Sequence, residues 1–256
     1  MEKITSKNNT IIKDTKKLFT SSKARAEEKR FVLEGARLCF DVLNSVYESE
    51  SVFYTENIIK KYPSEINALI SKCDGAYLIS EEIAEKLSDT KSPQGIFLTV
   101  KMRDGESEIK NKAIALDNVQ DPSNVGAIIR SAEALGIDSV IVYSGCDVYN
   151  PKAIRASMGS VLRMNIVKTD NLSDLVSDLS SDGFATYATV PDERARRITD
   201  IDFSGKVLCV IGNEANGVEE SVKSACDGLI TIPMLGRAES LNASVAASIT
   251  MWEMLR

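Results

Sequence analysis

The chain has 256 residues, of which 43% are apolar and 27% are charged, with 6 prolines and 14 glycines. This length and composition predict one large domain or two modest ones with a real hydrophobic core, and they exclude collagen-like, disordered and disulfide-rich proteins. Because the sequence contains no histidine, Ser-His-Asp triads, Cys-His pairs and His-ligated zinc sites are excluded.

The five cysteines are widely spaced, and none forms a C-x-x-C pair: they are Cys39, Cys73, Cys146, Cys209 and Cys226. An odd number at such spacing predicts reduced, partly buried thiols in a cytosolic protein. No basic segment precedes an apolar one at the N-terminus, and no apolar run approaches the roughly 20 residues of a membrane span. We therefore expect a soluble, cytoplasmic protein without a membrane partner.

The net charge of −6 is unevenly distributed along the chain. Residues 1–30 contain nine Lys or Arg against four Asp or Glu, whereas the remaining 226 residues carry a net charge of −11. A basic arm on an acidic body is typical of a phosphate-binding protein. A solvent-exposed helix face would produce the same pattern, so the charge alone leaves both interpretations open.

In the first part of the chain, short apolar runs alternate with helical patterns. The predicted strands are Phe31–Leu33, Ser51–Tyr54, Ala76–Ile79 and Gly95–Val100, and the predicted helices cover residues 36–47, 64–72 and 81–88. The polar, aperiodic segment Lys101–Asn111 then predicts a linker.

The second part repeats this alternation more clearly. The predicted strands are Ala113–Val119, Val140–Tyr143, Phe184–Val190, Val207–Ile211 and Leu229–Pro233, and the predicted helices cover residues 124–135, 152–158, 171–180, 218–225 and 241–255. Strands that are continuous apolar runs are buried on both faces, which predicts a parallel sheet with helices on both sides. The chain is therefore predicted to contain two α/β domains, at residues 1–105 and 109–256.

Ligands of a parallel sheet bind beyond the carboxyl ends of its strands, so three loops are candidates for a site: Asp121–Arg130, Gly212–Gly217 and Met234–Asn242. Gly212–Gly217 has the glycine spacing of a Walker A loop, but Val218 and Glu219 stand where that loop needs Lys and Ser or Thr. Its backbone N–H groups could hold a different ligand, or the loop is an ordinary strand-to-helix turn.

The helix predicted at residues 124–135 has one apolar stripe, which includes Val125 and Ile129. Arg130 lies roughly 140° from Val125 around the helix axis, so we expect its side chain to point towards solvent, a substrate or a partner chain. Asn124 is a candidate N-cap of the same helix.

The C-terminal helix carries two stripes on opposite sides. One comprises Leu241, Val245, Ser248, Ile249 and Trp252, and the other comprises Ala243, Ala247, Thr250 and Met254. This pattern predicts a helix buried against its own sheet on one side. A second copy of the chain or a loop would cover the other side.

Taken together, the three loops resemble the three sequence motifs of the SpoU/TrmH branch of the SPOUT RNA methyltransferases, which methylate ribose 2′-hydroxyls. The matching segments are Leu116–Ala132 (LDNVQDPSNVGAIIRSA), Val210–Val218 (VIGNEANGV) and Ile232–Ala246 (IPMLGRAESLNASVA), and Asn150–Gly159 also fits the family. The stretch from Ile4 to Gly35 resembles, less specifically, the L7Ae-like substrate-binding domain of members that act on ribosomal RNA.

The resemblance implies an α/β protein in which a small L7Ae-like RNA-binding domain precedes a SPOUT parallel sheet tied in a deep trefoil knot. It implies a homodimer formed through the SPOUT domain, S-adenosylmethionine as cofactor, and no metal. The implied substrate is 23S ribosomal RNA.

The resemblance also implies roles for individual residues. The expected catalytic residues are Arg130, Asn124, Glu214, Ser240 and Asn242, the last four orienting Arg130 and the target hydroxyl by hydrogen bonds. The expected cofactor-binding residues are Thr189, Gly212, Asn213, Gly217, Ile232, Met234 and Leu241. The expected RNA contacts are Lys13, Lys23, Arg25 and Arg155.

An arginine has a pKa above about 12, so it is a poor general base. We interpret Arg130 as a charge that positions the target phosphate and hydroxyl, with proton removal assisted by that phosphate. Two alternatives stay open: a tRNA ribose methyltransferase, and a non-catalytic RNA-binding protein on the same scaffold. The second would be expected to lack Arg130, Asn124 or the Ser240–Asn242 segment, all of which are present.

Overall fold

The structure, a computed structural model, describes residues 2–103 and 108–256. The chain divides into two compact units, Met1–Gly105 together with Tyr149–Ile154, and Glu106–Val148 together with Arg155–Arg256. The predicted division instead placed Tyr149–Ile154 in the second domain. Of the linker predicted at Lys101–Asn111, residues 104–107 lie outside the described part of the chain.

Tyr149 explains why its segment groups with the first unit. Its ring stacks on Phe31 with 4.5 Å between the ring centroids, and its hydroxyl lies 3.2 Å from that of Tyr47. All three side chains are buried. Packing of large aromatic rings with a partnered hydroxyl is strongly favourable, so this short segment is held within the first core.

The first unit contains a mixed five-stranded sheet with the order β1-β4-β3-β5-β2. Its strands are β1 (Glu2–Ile4), β2 (Arg30–Glu34), β3 (Ser49–Tyr54), β4 (Gly75–Ile79) and β5 (Ile96–Lys101). Its helices are α1 (Thr10–Thr20), α2 (Ser22–Glu28), α3 (Ala36–Asp41), α4 (Glu56–Lys61), α5 (Pro63–Lys72) and α6 (Glu81–Leu87). Strand β5 is antiparallel to β2 and β3, and the remaining pairs are parallel. The four strands predicted in this part are all present.

The basic N-terminal stretch is not an arm but a folded part of this unit. Helix α1 buries Ile12, Thr15, Leu18 and Phe19, a spacing of three and four residues that marks one face of a helix. The three apolar side chains among them pack with Ile4 of β1 and with residues of β2, β3, β4, β5 and α6. Elements β1, α1 and α2 were not predicted, because the charge of this region dominates its sequence pattern.

The second unit contains a seven-stranded, all-parallel sheet with the order β10-β12-β9-β11-β6-β7-β8. Its strands are β6 (Lys112–Asp117), β7 (Ser139–Tyr143), β8 (Ile166–Thr169), β9 (Ala185–Thr189), β10 (Arg196–Arg197), β11 (Val207–Ile211) and β12 (Gly228–Thr231). Its helices are α7 (Pro122–Leu135), α8 (Pro151–Ala156, which begins in the first unit), α9 (Leu172–Ser181), α10 (Glu220–Ala225) and α11 (Ala243–Leu255). The predicted parallel sheet is confirmed.

The central strands are buried on both faces, as their continuous apolar runs predicted. Every residue of β11 is buried, as is every residue of β6 after Lys112. Burial of one such Val, Ile or Leu side chain contributes roughly 1.5–3 kcal/mol, so these two strands anchor the unit. Two short strands, β8 and β10, were not predicted.

Helix α11 is apolar on both sides, and the structure buries one of them. The buried side carries Ala243, Ala247, Thr250, Met251 and Met254, which face α7, β11 and β6. On the other side Val245 is 46% exposed and Trp252 is 61% exposed. The predicted burial against the sheet is confirmed, and of the other stripe Val245 and Trp252 are exposed in the single chain, while Leu241, Ser248 and Ile249 are half-buried.

The five cysteines are free thiols, two of them buried and three half-buried, as predicted. Within residues 2–103 and 108–256, no helix has both the length and the apolar character needed to cross a membrane.

Candidate active site

Three loops meet at the carboxyl end of the seven-stranded sheet. One joins β6 to α7, the second joins β11 to α10, and the third joins β12 to α11. Strands β6 and β11 are hydrogen-bonded neighbours, with Leu116 paired to Ile211 at the end of the ladder. The parallel order therefore places the first two predicted motifs side by side at this edge, where ligands of such sheets bind.

The loop after β11 is tightly closed on itself. Asn213 and Gly217 exchange both backbone hydrogen bonds, at 3.0 and 2.9 Å. A Cβ atom on Gly212 would lie 2.2 Å from the carbonyl carbon of Gly217 and from the nitrogen of Val218. Because both are backbone atoms that cannot swing aside, only glycine fits at position 212.

Glu214, in the middle of this loop, binds the loop after β6. Its carboxylate accepts hydrogen bonds from the backbone nitrogens of Gln120 (3.2 Å) and Asp121 (3.3 Å) and from Nδ2 of Asn124 (2.9 Å). Burial opposes ionisation of this group, but the bonds from Asn124 and from the backbone outweigh it and lower the pKa of Glu214. Glu214 is therefore ionised at neutral pH and fixes the first motif to the second.

Asn124 continues this chain of bonds into the third motif. Its Oδ1 accepts a hydrogen bond from Nδ2 of Asn242 at 3.0 Å, while Oδ1 of Asn242 caps α11 by accepting from the nitrogen of Ser244 at 2.9 Å. We refer to Glu214, Asn124 and Asn242 as the amide relay. It joins residues that are 90 and 118 positions apart in the sequence.

Asn124 is not an N-cap, contrary to one interpretation of the sequence. Helix α7 begins at Pro122, and its N-cap is Asp121, whose carboxylate accepts from the nitrogen of Ser123 at 2.7 Å. Aspartate followed by proline is a favourable helix start. The side chain of Asn124 is consequently available to the relay, and it is buried.

Asp117 is a buried residue near the site that the sequence analysis did not single out. Its Oδ2 accepts from the nitrogen of Glu219 at 2.6 Å, and its buried Oδ1 has no hydrogen-bond partner among the described residues. Burial raises the pKa of Asp117. Together with Asn118, whose carbonyl accepts from Nδ2 of Asn213 at 2.8 Å, it fixes both ends of the loop after β11. The sequence signal that could have identified Asp117 is its position as an acidic residue at the end of a buried apolar strand.

Arg130 projects from α7 as predicted. Its side chain is exposed, while Val125, Ile129 and Ala132 on the same helix are buried. Within the described chain it forms no hydrogen bond or ion pair, so the predicted bonds to the relay and to Ser240 are not present. Ser240 is exposed as well and has no such bond in the same residues.

The expected cofactor residues line the carboxyl ends of β9, β11 and β12. Thr189 ends β9, pairs with Ile230 of β12, and donates its hydroxyl hydrogen to the carbonyl of Val210 at 2.7 Å. The third loop carries Ile232, Met234 and Leu241, all half-buried. Gly212, Asn213 and Gly217 belong to the closed loop after β11.

The third loop has the chemistry to hold S-adenosylmethionine. Residues 232–241 form no helix or strand, and in the part of the chain that is described their backbone groups have no backbone hydrogen-bond partner. Free main-chain N–H and C=O groups can bond the edge of an adenine ring and the hydroxyls of a ribose, because each of those groups needs donors and acceptors at fixed positions. The residues present therefore fit this cofactor.

The expected RNA contacts separate into exposed and buried residues. Lys13 and Lys23 are exposed, Lys23 lying 3.7 Å from Glu27, and Arg155 is half-buried. Arg25 corrects the prediction, because it is only 2% exposed and its guanidinium donates to the carbonyl of Leu18 at 2.6 Å. It closes the end of α1 and is not available to a phosphate.

Two family models match this chain. Residues 111–252 match the SpoU rRNA methylase family, and residues 9–98 match the MRM3-like substrate binding domain. The first match covers the second unit with all three loops, and the second covers most of the first unit.

Individual relatives match along almost the whole chain. The 23S rRNA (guanosine(2553)-2′-O)-methyltransferase RlmP of Bacillus subtilis (strain 168) is 31% identical over 255 residues, which are 99% of each chain. The AdoMet-bound rRNA methyltransferase of Sinorhizobium meliloti superposes with a TM-score of 0.86 at 26% identity, over 99% of this chain and 97% of that one. The SpoU methyltransferase AviRb of Streptomyces viridochromogenes, in complex with AdoMet, gives 0.85 at 25% identity, over 97% of both chains. The chain therefore belongs to the SpoU rRNA methylase family.

Proposed function

We propose that the chain transfers a methyl group from S-adenosylmethionine to a ribose 2′-hydroxyl of 23S ribosomal RNA, in the cytoplasm. The observation that carries this proposal is the amide relay, which joins one polar side chain from each of the three motifs at the ligand-binding edge of the sheet. The choice of RNA is supported by RlmP, which is similar along its full length, and by the substrate-binding domain matched at residues 9–98.

When bound, S-adenosylmethionine supplies an electrophilic methyl group. The backbone of residues 232–241 would hold its adenine and ribose, and the closed loop at Gly212–Gly217 would form the wall beside it. The relay keeps the third loop in place, because Asn242 both bonds the buried Asn124 and caps α11. In this arrangement the chain's residues act mainly by positioning the cofactor and the target hydroxyl. Such positioning can account for a large part of a rate enhancement.

We assign Arg130 the role of positioning the target phosphate and hydroxyl. It is exposed and has no partner in the described residues, so its guanidinium is free to form a bidentate pair with a phosphate. Its positive charge would stabilise the developing alkoxide. The proton would pass to a phosphate oxygen of the substrate.

We propose that the active form is a homodimer that uses the exposed side of α11. Arg130 follows Asn124 by six residues, which is about 9 Å along the helix and about 240° around it. Arg130 therefore points away from the relay of its own chain. A partner chain seated on Val245 and Trp252, which are exposed, would bring Arg130 of one chain towards the relay of the other.

We expect Trp252→Glu to convert the dimer into monomers, since a charge in an apolar interface is costly. Sedimentation velocity measures the change, and methyl transfer should fall in parallel if two chains complete each site. Val46→Glu is the matched control, because Val46 is 70% exposed in the first unit. A Trp252→Glu protein that sediments like the wild type would refute this interface.

We also propose that the second unit is tied in a trefoil knot, as its family resemblance implies. The support is the path of the last residues: β12 lies next to the edge strand β10, whereas α11, which follows β12, packs on the central strands β11 and β6 and on α7. The third loop therefore carries the end of the chain from β12 back towards the middle of the sheet.

The proposed function is tested by methyl transfer from labelled S-adenosylmethionine to unmodified 23S rRNA, tRNA and assembling large-subunit particles. We expect label on 23S rRNA or on the particles and none on tRNA. Label on tRNA alone would replace the proposed substrate. Cofactor binding without transfer to any of the three would contradict catalysis, and loss of cofactor binding would indicate the non-catalytic scaffold.

A further inference from the structure

The edge strand β10 brings arginines beside the proposed cofactor loop. Arg196 pairs with Ile230 of β12, which in turn pairs with Thr189 of β9, and Arg197 pairs with Thr231, the last residue before the third loop. Neighbouring strands are about 4.8 Å apart, so the backbone of β10 runs roughly 10 Å from Thr189. An arginine side chain on this strand can reach the mouth of the site.

Arg197 is the free guanidinium of this segment. Arg194 is held by Asp192 through contacts of 3.0 and 2.8 Å, and Arg196 donates to the carbonyl of Asp200 at 3.3 Å. Arg197 is exposed and has no hydrogen bond or ion pair in the described residues. Arg237, in the third loop, is exposed and equally unpaired within residues 2–103 and 108–256.

The surroundings of Arg197 favour a specific partner over general charge attraction. Residues 108–256 carry 14 Lys or Arg against 20 Asp or Glu, so this part of the chain does not attract RNA by its net charge. Acidic residues also flank Arg197, including Glu193, Asp200 and Asp202. An RNA strand placed at this edge therefore needs local contacts, and a guanidinium is the side chain that pairs best with phosphate.

We propose that Arg197, together with Arg237, binds RNA phosphates that flank the target nucleotide, at the open edge of the sheet beside β12. This inference rests on the proposed function, because it identifies how the RNA strand is held at the same site. Charged residues on an edge strand also prevent other strands from pairing there, and the experiment separates that role from RNA binding.

The test measures RNA binding directly, by filter binding of 23S rRNA fragments over a range of salt concentrations. Removing one phosphate-binding side chain makes the plot of log K against log salt less steep by about 0.7 for a single strand. We expect a slope change of that size for Arg197→Gln and about twice that size for Arg197→Gln with Arg237→Gln. RNA affinity at fixed salt should fall roughly 3–10-fold for each arginine replaced, and cofactor affinity should be unchanged in Arg197→Gln, because Arg197 lies on β10 and outside the proposed cofactor loop.

Arg194→Gln is the matched control, because it removes the same charge from the same segment while Arg194 is already engaged by Asp192. An unchanged slope in the double variant would overturn the inference even if the wild type methylates RNA. Aggregation of the variants with unchanged RNA affinity would overturn it too, in favour of edge protection. A wild type that transfers no methyl group would refute the proposed function, while a changed slope would still support the phosphate contacts.

Discussion

Replacement of Arg130 by alanine is expected to lower kcat for methyl transfer at least about 100-fold, the size of effect seen when one stabilising donor is removed from a transition state. Arg130→Lys should keep the charge but lose the planar fork, and we expect a loss of about 10-fold or more. Cofactor affinity should be unchanged in both variants, because Arg130 contacts none of the residues proposed to hold the cofactor. Single-turnover transfer and equilibrium binding of S-adenosylmethionine measure the two quantities.

The fold of these variants should be intact. Arg130 is exposed and unpaired within the described residues, and substitutions at such positions change the free energy of unfolding by no more than about 0.5 kcal/mol. Arg163→Lys is a suitable control, because Arg163 is an exposed arginine that is tied to Glu133 at 3.0 Å and plays no part in the proposed reaction. An Arg130→Lys enzyme with wild-type turnover would remove Arg130 from the mechanism.

The main strands of the second unit could be predicted from the sequence because the patterns that identify them are local. Continuous apolar runs identify strands buried on both faces, and β6 and β11 have that form. Strand β10 could not be found in this way. It consists of two arginines, and its position depends on pairing with β12 more than 30 residues later in the chain.

In the candidate site, too, features set by local sequence could be predicted, whereas contacts between distant residues could not. Local periodicity placed Arg130 off the apolar stripe, and the structure confirms that it is exposed. The relay could not be derived, since Glu214, Asn124 and Asn242 come together only when three strands align. Arg25 was misassigned for a related reason: charge counts do not distinguish a surface arginine from one that bonds buried carbonyls.

Gly212→Ala should disable the site more completely than any side-chain truncation in the relay. The new Cβ would stand 2.2 Å from backbone atoms of Gly217 and Val218, so the loop must open and the reciprocal bonds between Asn213 and Gly217 must break. Overpacking of this kind costs about 1–3 kcal/mol or more. Since Glu214 sits in the same loop, its bonds to the first motif should be lost as well.

We expect Gly212→Ala to weaken S-adenosylmethionine binding at least about 10-fold and to lower the melting temperature by several degrees, measured by isothermal titration and by circular dichroism. Gly228→Ala is the matched control, because a Cβ there would be 3.5 Å from the ring of Tyr187, an ordinary contact, and should leave both values close to those of the wild type. If Gly212→Ala binds the cofactor normally, the closed loop is not a wall of its site. If cofactor binding is lost without a change in melting temperature, the loop contacts the cofactor directly and its closure contributes little to the fold.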